Sequence, residues 1–451
     1  MQTGEIKDYR VQISNKQILS ITLPIAAAIV VPQLNFVTNN IFLGQLGEQS
    51  LSVAGITGVY YLIFAVVGIG LNNGLQMLIS RRAGENKIDA IGSLFSQGIR
   101  LAIVMAILGI IITTFVTPTV FGWSLKNPED VKMAVSFLNI RIWGLFFLYL
   151  YQMRNALLVG TNQTKLLIYG TAAEAITNVI LDYGLIFGHL GLPKLGFNGA
   201  AYASVIAEGT GLLVIFLVIH YKGIGKQLQL FKNWQWNKSN AVLILTQSAP
   251  LIGQHLLSII AWEFFYILNE HHGSQAGAIS NIMRNVFGFF GCITWAFAST
   301  TNTMVSNIIG QGLEHRVEEL IYKIMKLSLL FALIVCTILN VIPHLFLSVY
   351  GQSEDFINAA IPVLRVVSTA LILMSIAVVW LNAVTGTGQT KINLWIEFMA
   401  IILYCIYVYV TLEKLNMSVA VGWGSEWLYW TSMLIPSFLY IKSGRWKGKK
   451  L

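Results

Sequence analysis

A chain of 451 residues that is 55% hydrophobic and only 11% charged lies outside the composition of ordinary soluble domains. Its net charge of +9 follows membrane topology, as shown below, which argues against a nucleic-acid partner. Cys292, Cys336 and Cys405 all fall in apolar stretches, so no disulfide framework is implied.

The chain opens with a short polar stretch, Met1 to Lys16, without a cleavable signal pattern. Twelve apolar segments follow, at 17–43, 52–79, 91–116, 133–158, 166–189, 198–221, 241–268, 277–306, 318–342, 355–384, 392–412 and 418–441. Each can cross a bilayer, and in lipid only a helix satisfies the backbone of such a segment. The reading is an all-α membrane protein with twelve transmembrane helices. Number the connections alternately with the N-terminus inside. The inner set then gathers Lys7, Arg10, Lys16, Arg81, Arg82, Lys87, Lys165, Lys222, Lys226, Lys232, Lys238, Arg316, Lys391, Lys442, Arg445, Lys447, Lys449 and Lys450. The outer set holds only Lys126, Lys132, Lys194 and Lys414. This asymmetry predicts a multi-pass plasma (inner) membrane protein with both termini cytoplasmic.

The first span carries Pro24 and Pro32, and the seventh carries Pro250. Each proline frees a backbone carbonyl, which serves either a hinge or a static kink. The second span holds Tyr60, Tyr61, Phe64, Asn72, Asn73 and Gln76; Arg141 lies in the fourth. In the fifth, Asn178 and Asp182 stand at i and i+4 on one helical face, about 25 Å beyond Lys165 at ~1.5 Å per residue. A carboxylate at that depth can bind and release a proton or Na+, and the alternative is a hydrogen-bonded structural Asp. Glu174 in the same span and Glu397 in the eleventh read as snorkelling or helix-capping groups.

Residues 222–240 form the longest inner connection, with four lysines plus Trp234 and Trp236, as expected of a linker at the headgroups. Beyond it, Glu263 in the seventh span is the second carboxylate candidate, at the depth of Asn39. Arg284 in the eighth span could pair with it, and Arg365 is a further buried candidate. Trp295, Phe287, Phe289 and Phe290 could line an aromatic pocket for an organic cation or simply pack. Asn302 and Thr303 are polar lining candidates, with interhelical hydrogen bonds as the plainer role. The histidines show no metal-ligand spacing, and no nucleotide-binding loop, nucleophile elbow or zinc signature occurs.

The second half of the chain echoes the first at one spacing. Pro24 returns as Pro250 (24 + 226), Gly47 as Gly273, Gly84 as Gly310, and Gly160-Thr161 through Lys165 as Gly386-Thr387 through Lys391. Two six-span bundles, 1–221 and 241–451, joined by 222–240, are therefore parallel repeats related by a pseudo-two-fold along the membrane normal. The spacing fails at the carboxylates, since Asp182 maps onto Val408 and Glu263 onto Val37.

The run from Phe36 to Gly47, the Gly-Thr-x-Gln-Thr-Lys turns, Asn178 through Gly188, Gly199 through Ser204, and Arg284 through Gly312 resemble multidrug and toxic compound extrusion (MATE) transporters. The resemblance covers essentially the whole chain. It implies cation-coupled antiport by alternating access, exporting amphipathic and often cationic compounds against inward H+ or Na+. It also implies a cation site formed by Asn39, Asn178, Asp182 and Ser204, where family members commonly have Asp at the position of Asn39 and Thr at that of Ser204. Asn39 cannot take up a proton but can offer a carbonyl to Na+, so Asp182 is expected to be essential and Asn39 auxiliary. Coupling at Glu263 is the alternative. Gln76, Asn72, Arg284, Trp295 and Asn302 are the expected substrate-cavity residues. The expected partners are a small-molecule substrate and the lipid bilayer, with a monomeric chain, no cofactor, and Na+ or H+ as the coupling ion. A flippase for lipid-linked precursors is the second reading, and a membrane-embedded enzyme the remote one.

Overall fold

A computed structural model describes residues 8–232, 235–351 and 353–449. Lys7, Trp234 and Lys450 lie outside the described residues. Helices cover every expected span: α1 (Asn15–Gly44), α2 (Glu48–Gly84), α3 (Ile88–Ser124), α4 (Pro128–Arg141), α5 (Gly144–Gly160), α6 (Leu167–Phe187) and α7 (Phe197–Tyr221) in the first half. The second half holds α8 (Lys238–Glu270), α9 (Ser274–Gly310), α10 (Val317–Val341), α11 (Glu354–Gly386), α12 (Thr390–Val408) and α13 (Ser425–Lys442).

Among the described residues, eight of these helices are singly long and apolar enough to cross a membrane, and α4 with α5 forms a ninth span bent by 44°. The remaining expected spans are α6, α9 and α13. They are the polar ones: α6 carries Glu174 and Asp182, α9 carries Arg284 and a run of Ser, Thr and Asn, and α13 has Glu426 in its first turn. Each buries polar groups, among them Asn302 and Thr303 on α9 and Glu426 on α13. On α6 the outer surface is Ile176, Val179, Ile180 and Tyr183, whereas Thr171, Asn178 and Asp182 are buried. That inside-out pattern belongs to a helix solvated by lipid.

The repeat extends to details of folding. Gly47 and Gly273 (47 + 226) start α2 and α9 with φ of 112° and 98°, a region that L side chains rarely enter. Asn127 and Ser353 (127 + 226) cap α4 and α11, accepting from the Glu129 and Phe356 amides at 3.1 and 3.4 Å. Within the halves the same pairs meet: α2 with α5 corresponds to α9 with α11, and α6 with α7 to α12 with α13.

The compact units nevertheless differ from the sequence halves. One contains Ala27–Ile252, the other Arg10–Ala26 and Gly253–Leu451. The chain changes unit within α1 and again within α8, at 26/27 and 252/253, which are themselves 226 apart and lie just after Pro24 and Pro250. Accordingly the leading half of α1 packs on α9 in the second unit, where Thr22 and Thr300 share a 2.9 Å hydroxyl hydrogen bond. The leading half of α8 packs on α2 in the first unit. A side chain on Gly70 there would lie 2.8 Å from the Ile252 amide nitrogen, and Ser248 fills the space beside Gly74. Ser248 is the repeat equivalent of Thr22, and Gly74 of Thr300.

The connection between α2 and α3 carries a small ion cluster, with Glu85 at 2.8 Å from Arg82 and 2.9 Å from Lys87. Burial works against its charge, but hydrogen bonds from Lys87 and Arg82 outweigh this and hold the carboxyl below the usual carboxylate range. Its contribution is therefore present above the unfolded-state value and is lost as pH falls through the folded one. The group is largely solvent-screened, so Glu85→Gln should cost less than ~1 kcal/mol at neutral pH in thermal unfolding in detergent. That difference should vanish in acid.

Candidate functional site: a polar interior in each unit

In the first unit, α6 and α7 run antiparallel at close range. Gly199 sits where a Cβ would lie 2.6 Å from the Leu185 carbonyl oxygen, and Gly211 where it would lie 3.1 Å from that of Gly170. Because the obstacle at Gly199 is backbone, Gly199→Ala should destabilise the protein by ~1–3 kcal/mol, read as a lowered unfolding midpoint. Interpolating between those two contacts puts Ser204 beside Asn178 and about one turn from Asp182. The far ends of α1 and α6 also meet: the Phe42 ring is 6.5 Å from Tyr183 and 5.9 Å from Phe187, and Leu43 shares a core with Ile186. One turn back along each helix lie Asn39 and Asp182.

Asp182 is 0% exposed and Asn178 is buried beside it, while Asn39 and Ser204 are half-buried. Both carboxylate oxygens of Asp182 and the side-chain carbonyl of Asn39 are buried without a hydrogen-bond partner. An ionised carboxylate removed from water and left unpaired is costly, and a proton or a hard cation removes that cost. The expected set Asn39, Asn178, Asp182 and Ser204 thus lies in one unit, within about one helical turn in height.

A second polar group shares this unit. Arg141, at the break between α4 and α5, makes a two-pronged ion pair with Glu208 of α7, at 2.9 and 2.6 Å. Its guanidinium lies 3.8 Å over the Tyr61 ring, and the Tyr61 hydroxyl approaches Glu208 at 3.4 Å. A side chain at Gly144 would collide with both charged groups. Sequence reasoning named Arg141 and missed Glu208, although Glu208 stands one turn after Ser204 on α7, a spacing that could have revealed it.

The second unit departs from several expectations. Arg284 is not seated on Glu263: its guanidinium lies over the Trp262 and Tyr266 rings, 5.9 and 5.4 Å from their centres. The two rings flank Glu263 on α8 and take the cation in its place. Glu263 itself is half-buried, and Arg365 is exposed rather than buried. Glu397 neither snorkels nor caps: it is 1% exposed, in the packed zone between α12 and its neighbours. Glu426 is also buried and accepts a 3.0 Å hydrogen bond from the Trp430 indole.

Of the expected cavity residues, Gln76 and Asn302 sit at equivalent helix joints, their backbone carbonyls 3.0 and 2.9 Å from where a Cβ on Gly160 and Gly386 would lie. Asn72 is buried and donates to Asn73 at 3.2 Å. Trp295 is 44% exposed, with its ring 6.4 Å from that of Trp430.

Two repeated bundles of lipid-solvated helices with polar interiors define an integral multi-pass membrane transporter, with a small-molecule substrate and the bilayer as its partners. The family model MatE matches residues 24–184 and again 250–410, two copies separated by the same 226 residues, and the chain belongs to that family of transporters and is not an enzyme. A probable multidrug resistance protein NorM of Thermotoga maritima is 22% identical over 441 residues, covering 96% of this chain and 93% of that protein. A protein of the same description from Synechocystis sp. is 21% identical, covering 85% and 84%. In fold, the chain is similar to a MOP superfamily transporter of Pyrococcus furiosus, with a TM-score of 0.88, 17% identity and 98% coverage of both chains.

Proposed function

We propose that this protein is a secondary antiporter that exports amphipathic, cationic organic compounds in exchange for inward Na+ or H+. The observation that carries the reading is Asp182, a fully buried carboxylate with both oxygens unpartnered, at the level of the equally unpartnered Asn39 carbonyl. Asn178 and Ser204 add further oxygens within about one helical turn, which suits a hard cation. The ion binds at Asp182, and its arrival and departure bias the two conformations between which the transporter alternates. The changes of unit just after Pro24 and Pro250 support these prolines as hinges. The cation asymmetry of the connections supports cytoplasmic termini, and the chain acts as a monomer.

In proteoliposomes the protein should accumulate a fluorescent organic cation against its own gradient only when a Na+ or pH gradient is imposed, with ATP adding nothing. A protein that instead scrambles headgroup-labelled lipid in the same vesicles, and leaves the dye in place, would be a flippase. That outcome would overturn the proposal.

A further inference from the structure

Glu397 is the most deeply buried carboxylate of the second unit, and its surroundings form a built cluster. Its Oε1 accepts hydrogen bonds from the Ser258 hydroxyl, at 2.6 Å, and from the Tyr429 hydroxyl. Its Oε2 accepts from the Gln254 amide at 3.2 Å. Two helices, α8 and α13, thus supply three neutral donors to one carboxylate on α12. Among the described residues no cation lies within ion-pair distance of it, unlike Glu208, whose charge Arg141 neutralises.

The other titratable neighbours are few. His255 lies on α8 between Gln254 and Ser258, and α8 carries Glu263 further on. Tyr429 and Glu426 come from α13. Tyr404 is on α12 itself, with its ring 5.6 Å from that of Tyr429. From Val366 to Gly386, α11 has no charged residue. None of these groups supplies a permanent positive charge.

A carboxylate so placed is stable with a proton or with a bound cation, and the spacing decides between them. A hard cation requires several oxygens held around it at ~2.3–2.6 Å, as for Ca2+. Here the hydroxyl donors already rest directly on the carboxylate, leaving no such gap. A proton fits on Oε2, because the Gln254 amide can turn to present its carbonyl to the new O–H. We propose that Glu397 is a proton-binding site of the second unit, distinct from the Asp182 site. Gln254 and Ser258 stand one turn apart on α8, directly after the chain enters this unit at Gly253. Protonation of Glu397 therefore changes the acceptor that holds this part of α8. Proton binding at Glu397 stands apart from the antiport reading, and only its use in transport rests on that reading.

Infrared difference spectra of the full-length protein in lipid, recorded between acid and alkaline pH, test this. The wild type should show a protonated-carboxyl C=O band that disappears as pH rises. Glu397→Gln, which keeps an acceptor for Ser258 and Tyr429, should lose one component of that band, and Asp182→Asn should keep the component. Tyr429→Phe, which leaves the carboxyl in place, should shift the pH at which the component disappears. Spectra of E397Q identical to wild type, or no shift in Y429F, would overturn the proposal. Absence of ion-driven efflux by the wild type would instead sink the antiport reading and leave the spectra as they are.

Discussion

Asp182→Asn should lower ion-driven export by roughly 5–150-fold, the range that ~1–3 kcal/mol of lost coupling produces, while the folded protein remains as stable as the wild type or becomes more so. The two halves of this expectation have one cause. Asp182 is wholly buried, and neither of its oxygens receives a hydrogen bond. Its carboxylate thus contributes nothing visible to holding α6 in place. Asn fills the same volume and removes a buried charge, a change that is commonly neutral or stabilising. What disappears is the capacity to bind a proton or to neutralise a cation. Parallel measurements of dye efflux from proteoliposomes and of thermal unfolding in detergent check both halves. A variant that unfolds early would make Asp182 structural, and one that keeps full efflux would remove it from coupling. Asn39→Ala should weaken ion affinity without abolishing transport, because Asn39 supplies one carbonyl rather than the charge.

Glu208 presents the opposite case. Its carboxylate is clasped by Arg141 at 2.6 and 2.9 Å, with side-chain exposures of 9% and 14%, and the Tyr61 ring covers the guanidinium. Removing one member leaves the other charge buried and unpaired, at a cost of ~3–5 kcal/mol. Glu208→Gln should therefore lower the unfolding midpoint markedly, and Arg141→Met should do the same. The double variant Arg141→Met, Glu208→Leu should recover much of the loss, because no charge then remains without a partner. If the single and double variants were equally unstable, packing around Gly144 rather than charge pairing would hold the joint together. Gly144→Ala probes that packing directly, since a methyl group there meets both charged side chains.

The scaffold was largely legible in the sequence because hydrophobic length and the 226-residue offset are local or periodic signals. Helices stand on every expected span, and the offset reappears in the caps Asn127 and Ser353 and in the turns at Gly47 and Gly273. That Asn39, Asn178, Asp182 and Ser204 form one cation site is an expectation from a resemblance and not from spacing alone. Depth along a helix was readable, but which side chain meets which was not. Arg284 was expected on Glu263, yet the rings of Trp262 and Tyr266, one residue before and three after that carboxylate, take the guanidinium. Glu397 reads as a snorkelling or helix-capping group because it lies in the inner half of its span, and only the convergence of α8 and α13 buries it. The exchange of the leading halves of α1 and α8 between compact units left no mark in composition. It becomes visible only where Thr22 meets Thr300 and Ser248 meets Gly74.

Coupling is tested most directly by running the exchange backwards. Proteoliposomes are loaded with an organic cation and diluted into substrate-free medium, with Na+ and pH equal on both sides. Interior Na+ or pH is then followed as the substrate leaves. An antiporter coupled at Asp182 should draw Na+ or H+ inward against no imposed gradient, and Asp182→Asn should lower that uptake by the same ~5–150-fold. Substrate leaving the wild-type vesicles with no accompanying movement of either ion would contradict the account.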